Sequence, residues 1–300
     1  MQSSQRALLT LVRHVQSLDE ERLMALACLL RAELLPADAF FYDFLRVEQR
    51  PWSFTLHHDL GKLATDRWLT CSDGTIAPGP RLAAPSDTLI QGATWSLADV
   101  LPSWWRSVRR LSMSALRQRI SVSDEGPKAG GTPGITQDEP VVMTAGYQGV
   151  SLESFLTRLL HAGVRLLIDV RANPTARRFG FHRSTLARCC PQIGICYEHV
   201  PDLGIKAEHR DGKTTPAQRQ RLFRDYVQRV KASRSPALAR VTAWMRDVPA
   251  VLVCLEADPL DCHRTYLGRM ISDRLERPLM DLGEAAQGVR PSSRPVRHRR

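Results

Sequence analysis

Two kinds of apolar spacing divide the chain. In residues 6–35, Leu8, Leu11, Val12 and Val15 share one helical face, and Leu23, Leu26, Ala27 and Leu30 repeat that spacing. Asp19 lies between the two segments as an N-cap. Pro51-Trp52 then stops one element, and Ser53 caps a predicted helix carrying Phe54, Leu56, Leu60 and Leu63. Trp68-Leu69-Thr70, a Ser-Asp-Gly turn and Thr75-Ile76 predict a small hairpin. Residues 77–105 are rich in Pro, Ala, Ser and Gly and predict no element, while Leu111 to Ile120 predict one more helix. Helices followed by a turn-bearing hairpin is the order of a winged helix.

From residue 141 the pattern changes. Val141–Tyr147, Val164–Val170, Ile195–Val200 and Val251–Leu255 are near-continuous apolar runs. Helical patterns separate or follow them: one capped by Ser151 with Leu152, Phe155, Leu156, Leu159 and Leu160 inward, a short one near Ser184, Pro216 to Lys231, Pro236 to Arg246, and one entered near Leu260. Strands apolar on both faces alternating with helices imply a parallel sheet covered on both sides. The expected fold is therefore α/β: a Rossmann-like, mostly parallel sheet covered by helices, preceded by a mainly helical winged-helix-like domain. The expected boundaries are 1–120 for the first domain, 121–140 for a flexible Gly- and Pro-bearing linker, 141–283 for the α/β domain and 284–300 for a disordered basic tail with five Arg.

Charge adds a partner class. The net charge is +11 and the isoelectric point about 9.8, so an acidic partner is expected; nucleic acid, DNA foremost, is the commonest such partner. No stretch reaches the ~18 apolar residues that a membrane span needs. Seven Cys without framework spacing fit reduced thiols, and the expected location is cytoplasmic. Oligomeric state is not legible.

Chemistry gathers where the strands end, because ligands of open α/β sheets bind beyond the carboxyl ends of the strands. The strands deliver Tyr147, then Asp169 and Arg171, then His199, then Cys254 and Glu256; Cys262, His263 and Arg264 follow at a helix start, where backbone N–H groups favour anions and thiolates. Between Val170 and Tyr197 there is no Asp or Glu, whereas Arg171, Arg177, Arg178, Arg183 and Arg188 all occur there beside Phe179 and Phe181. Arginine forks suit phosphates and aromatic rings suit bases. Asp169, Glu256, Cys262 and His263 are accordingly the expected catalytic set. Tyr147, Arg171, Arg177, Arg178, Phe179 and Arg264 are the expected phosphate- or nucleic-acid-binding set.

No metal and no cofactor are assigned. Cys254, Cys262 and His263 offer soft ligands and His199 or Asp169 could complete a site, but seven residues separate the cysteines and nothing in the spacing demands a fourth ligand.

The blocks GYQGVSLESFLTRLLHAGVRLLIDVRANPTARRFGF, YEHVPDLG and CLEADPLDCHR resemble the domain-of-unknown-function 488 family over roughly Val141 to Leu282. Its recurring positions fall on Gly146, Tyr147 and Gly149; on Asp169, Arg171, Pro174 and Phe179; on Pro201, Leu203 and Gly204; and on Cys254, Glu256, Pro259, Cys262, His263 and Arg264. Members usually have Ser between the Arg and Pro of the second block, where this chain has Ala172-Asn173. The stretch from FYDF to PWSFTLHHDLGKLATDRWLT resembles a winged-helix module that precedes some members, with His57, His58, Lys62 and Arg67 on or beside its third helix. The resemblance implies a Rossmann-like fold and nucleic-acid-related activity. The expectation is an enzyme performing hydrolase- or base-modification-type chemistry on nucleic acid or a nucleotide. The alternative is a non-catalytic nucleic-acid-binding regulator or sensor.

Overall fold

The computed structural model describes residues 1–36, 39–83, 96–123, 140–176, 179–210, 215–233 and 235–283. The expected linker and the basic tail lie almost wholly outside them. The chain divides into two units: Met1–Lys128 with Ser151–Thr157 and Arg178–Gly180, and Ala129–Val150, Arg158–Arg177 and Phe181–Arg300.

The first unit opens with α1 (Ser3–Val15), β1 (Leu18–Asp19) and α2 (Glu20–Glu33), and Asp19 accepts the Arg22 N–H at 2.7 Å as the N-cap. A hairpin of β2 (Leu45–Val47) and β3 (Arg50–Trp52) precedes α3 (Phe54–Thr65), whose N-cap Ser53 accepts the Leu56 N–H. Next come β4 (Leu69–Ser72) and β5 (Thr75–Pro78), joined by Asp73-Gly74 with φ of 49° and 73°. Positive φ at both central residues is the tight hairpin turn that Asp-Gly favours. Strand β1 pairs with β5 and β5 with β4, all antiparallel. Helices α4 (Leu97–Val108) and α5 (Met113–Ser123) complete the unit.

Three elements here were not expected from sequence: β1, the β2–β3 hairpin and α4. The last contains Pro102 yet buries Leu97, Leu101, Trp104 and Val108 at helical spacing. Within the same unit, the buried carboxylate of Glu153 accepts the Thr55 N–H at 2.8 Å and the hydroxyls of Ser53 and Thr55, and burial raises its pKa.

The α/β unit holds a five-stranded, wholly parallel sheet. The elements from there on, in chain order, are β6 (Val142–Gly146), α6 (Leu152–His161, whose residues to Thr157 belong to the first unit), β7 (Leu166–Asp169), α7 (Arg183–Cys189), β8 (Cys196–His199), α8 (Ala207–Arg210), α9 (Pro216–Ala232), α10 (Pro236–Asp247), β9 (Ala250–Cys254), α11 (His263–Leu275) and β10 (Leu279–Asp281). The spatial order is β10-β6-β9-β7-β8. The four expected strands are present, and β10 is a fifth that the sequence pattern did not show.

Side chains alternate across a strand, so register decides which residues share a face. Val142, Leu166, Ile168, Val170, Ala250 and Leu252 form one face, packed with Phe223 and Tyr226 of α9, Leu238 and Val241 of α10, and Leu267 and Ile271 of α11. The alternate residues Met143, Ala145, Leu167, Val251 and Val253 are buried too. β6 and β9 are neighbours, but the chain leaves β6 toward β7 and leaves β9 toward β10, on opposite sides. Adjacent strands with diverging connections open a crevice at their carboxyl ends. That is where the polar residues converge.

Candidate functional site

The carboxyl end of the sheet carries two polar clusters, one on each face. Asp169 pairs in register with Val253, and Cys254, the next residue, pairs with Gly146. By alternation Asp169 and Cys254 therefore project to opposite faces.

The first cluster is a closed network. The Arg171 guanidinium grips Asp169 with both prongs, Nε to Oδ1 at 2.8 Å and Nη2 to Oδ2 at 2.6 Å. Oδ1 also accepts the Arg171 N–H at 3.1 Å, and Oδ2 accepts the Tyr197 hydroxyl at 2.7 Å. Four donors fill the acceptor capacity of one carboxylate. Arg171 Nη1 donates to the Phe181 carbonyl at 2.8 Å and to the Tyr147 hydroxyl, and the Tyr147 ring stacks on Phe181 with centroids 4.2 Å apart. Asp169 is fully buried and Arg171 nearly so. Burial opposes the charge on Arg171, but its bonds to Asp169 keep its pKa above the ordinary value. Burial, then the neighbouring Asp169 charge, raises the Tyr197 hydroxyl. His199, in register with Asp169, places Nε2 2.9 Å from the Arg171 carbonyl.

The second cluster lies on the face covered by α9–α11. Cys254 ends β9; a short helical turn, Pro259–Asp261, follows, and Cys262 is the N-cap of α11. That helix begins at His263 rather than near Leu260, so Cys262 sits at its mouth in extended conformation. Glu256 Oε2 lies 2.9 Å from Cys262 Sγ and 3.2 Å from Cys254 Sγ, accepting from each thiol. His263 places Nδ1 3.7 Å from Cys254 Sγ and Nε2 3.1 Å from the Val170 carbonyl. Tyr226 meets the His263 ring edge-on. Cys254, Cys262 and His263 are buried, whereas Glu256 is partly exposed. Burial pushes the Cys262 thiol well above its ordinary pKa, with Cys254 adding to the rise and His263 opposing it.

Two residues hold the Glu256 loop in place. A Cβ at Gly146 would come within 1.9 Å of the Glu256 carbonyl oxygen, so only glycine lets the chain after β9 cross the end of β6. Arg264 is fully buried: Nε and Nη2 donate to Asp281 Oδ2 at 3.2 and 3.1 Å, Nη1 to the Glu256 carbonyl and Nη2 to the Ala257 carbonyl. Thr144 also donates to Asp281 Oδ2. A guanidinium so enclosed clamps the loop to β10 and has no route to a phosphate.

The structure thus groups Glu256, Cys262 and His263, adds Cys254 to them, and sets Asp169, Arg171 and Tyr147 apart on the other face. Phe179 belongs to the first unit and stacks on His58 with centroids 3.9 Å apart, while Phe181 is a buried core ring. Arg177 and Arg178 lie outside the described residues. Tyr197 and Asp281 escaped sequence reasoning; their roles depend on strand register, not on any local motif.

Residues 151–271 match the model of the family described as Domain of unknown function DUF488. Over that span, from α6 into α11, the chain is similar to the family, and the span contains Asp169, Arg171, Cys254, Glu256, Cys262, His263 and Arg264. No match was found among curated proteins or among solved structures. Among the described residues no helix is long and apolar enough to cross a membrane.

Proposed function

We propose that the protein binds nucleic acid, DNA in preference, through its first unit, and that its α/β unit acts on nucleic acid or a nucleotide at the Glu256–Cys262–His263 centre. The observation that carries the binding half is the order α1-β1-α2-α3-β4-β5, interrupted by the β2–β3 hairpin between α2 and α3, with a β1-β5-β4 antiparallel sheet. That is the element order of a winged helix, in which α3 would enter the major groove and the Asp73-Gly74 hairpin would be the wing. The exposed positions of α3, namely His57, Gly61, Lys62 and Thr65, form one stripe, and Arg67 follows it. The net charge of +11 supports a polyanionic partner.

The catalytic half rests on the position of Glu256. It is a partly exposed carboxylate beside two thiols and an imidazole, at the crevice between β6 and β9. Such a group serves as a general base or acid toward water or a leaving group. In this reading Asp169, Arg171 and Arg264 shape the site and do not touch substrate. The low exposure of Cys254, Cys262 and His263 favours one competing reading, a regulator that senses and does not convert.

Binding is tested by anisotropy of labelled duplex DNA with the full chain. Affinity should fall steeply between low and physiological salt, and Lys62→Ala with Arg67→Ala should weaken it at every sequence. Salt-independent binding would exclude the electrostatic mode. Single-turnover assays on labelled DNA and RNA, with wild type and Glu256→Gln, decide the catalytic half. Conversion by wild type alone supports it; equal binding with no conversion by either leaves the regulator.

A further inference from the structure

We propose that Cys254, Cys262, His263 and Glu256 bind a zinc ion, with two sulfurs, one imidazole nitrogen and one carboxylate oxygen as ligands. The donors are already gathered. Both Sγ atoms and a His263 ring nitrogen lie within 4.8 Å of one another, and Glu256 Oε2 stands 2.9 and 3.2 Å from the two sulfurs. Tetrahedral zinc, with Zn–S near ~2.3 Å and Zn–N near ~2.0 Å, sets its ligand atoms roughly 3.3–3.8 Å apart. Side-chain movement brings the three gathered donors to that spacing, and Glu256, already at both sulfurs, swings in as the fourth.

The tautomer of His263 points the same way. Its Nε2 faces the Val170 carbonyl, which can only accept, so Nε2 carries the proton and Nδ1 turns its lone pair toward Cys254. A histidine whose outer nitrogen is held by a backbone carbonyl is the usual arrangement at a metal ligand. Two sulfurs and Nδ1 then converge at one buried place, with Glu256 Oε2 against both sulfurs. A divalent cation satisfies all four together. On binding, the two S–H protons leave to bulk water, the sulfurs become thiolates and no electron moves. Two thiolates and an imidazole favour zinc over the hard cations magnesium and calcium.

The fold supports the ligands as a metal centre requires. Cys254 is fixed in the central strand, Cys262 and His263 at a helix start, and the Glu256 loop by Gly146 and Arg264. Zinc takes Glu256 through Oε2, which leaves Oε1 for the proton transfer assigned above; the proposal does not rest on the substrate, because its readout is metal content and not activity.

The test uses the full chain, purified reduced, loaded with zinc and freed of excess by gel filtration. About one zinc per chain is expected, with two sulfur and two nitrogen or oxygen neighbours by X-ray absorption at the zinc edge. Cobalt loading should give the sulfur-to-metal charge-transfer band of a tetrahedral thiolate site. Cys262→Ser should lower the sulfur count from two to one. Because that buried variant can misfold, Glu256→Gln is measured too; it should retain both sulfurs and bind zinc about tenfold or more weakly. Zinc well below stoichiometric, a sulfur count other than two, a Cys254–Cys262 disulfide in place of metal, or undiminished zinc affinity in Glu256→Gln would each overturn the proposal.

Discussion

Asp169 and Cys254 sit one register step apart at the same end of the same sheet, yet their surroundings are opposite in kind. Around Asp169 every acceptor position is met by a donor: both prongs and the backbone N–H of Arg171, and the Tyr197 hydroxyl. Around Cys254 two thiols, an imidazole nitrogen and a carboxylate oxygen crowd together. A saturated buried network rigidifies, whereas converging lone pairs await a proton or a cation. Proximity to a strand end therefore does not separate architecture from chemistry here; the hydrogen-bond inventory does.

The largest expected effect falls on the saturated side. Asp169→Ala strands the Arg171 guanidinium in a buried setting, and breaking such a pair costs about 3–5 kcal/mol. Urea unfolding of the full chain measures it. Replacing the pair together, Asp169→Leu with Arg171→Met, should recover much of the loss, because the cost lies in the unpaired charge. If Asp169→Ala is nearly neutral, the network is not the tie that the geometry implies. Tyr197→Phe removes one donor to the same carboxylate and should cost about 1.5–3 kcal/mol, the value of a hydrogen bond to a charged group. Neither change should alter zinc content.

Gly146→Ala probes the border between the two clusters. The added methyl meets the Glu256 carbonyl oxygen, a backbone atom, at 1.9 Å, so the loop must move. Overpacking of this kind costs about 1–3 kcal/mol, and the displaced Glu256 should weaken zinc binding. A variant that keeps wild-type metal affinity would show that the loop tolerates the shift.

Much of this was legible in the sequence, for reasons that also explain what was not. The apolar runs of β6, β7 and β9 are long enough to be seen, and the rule that ligands gather at strand ends brought Asp169, Glu256, Cys262 and His263 to the same edge. What sequence could not supply was register. The placement of Asp169 opposite Val253 and not Cys254 divides the expected set between two faces, and no local pattern encodes that pairing. β10 is three residues, Leu279–Asp281, too short to show a period, so sequence alone hides the partner of Arg264 and leaves the arginine looking like a phosphate ligand. Helix α4 was hidden by Pro102 and by the Pro-, Ala- and Ser-rich run before it, although its apolar stripe is regular.

The smallest expected change in stability is also the most discriminating. Glu256→Gln is the same chemical edit as Asp169→Asn, a carboxylate exchanged for an amide, made at the same end of the sheet but in the cluster on the other face. At Asp169 the amide NH2 must face donors that need an acceptor, and a buried charge is left unanswered, so folding suffers. At Glu256 the side chain is partly exposed and water can meet the new amide, so the stability change should stay within about 1 kcal/mol. The centre should change instead: zinc affinity should drop and any conversion of labelled nucleic acid should cease. The contrast is read from a urea curve and a metal titration on each of four proteins: wild type, each single variant, and both combined. If Glu256→Gln unfolds the chain as Asp169→Asn does, the second cluster is architecture like the first. If Asp169→Asn leaves stability intact and abolishes conversion, the roles of the two faces are reversed.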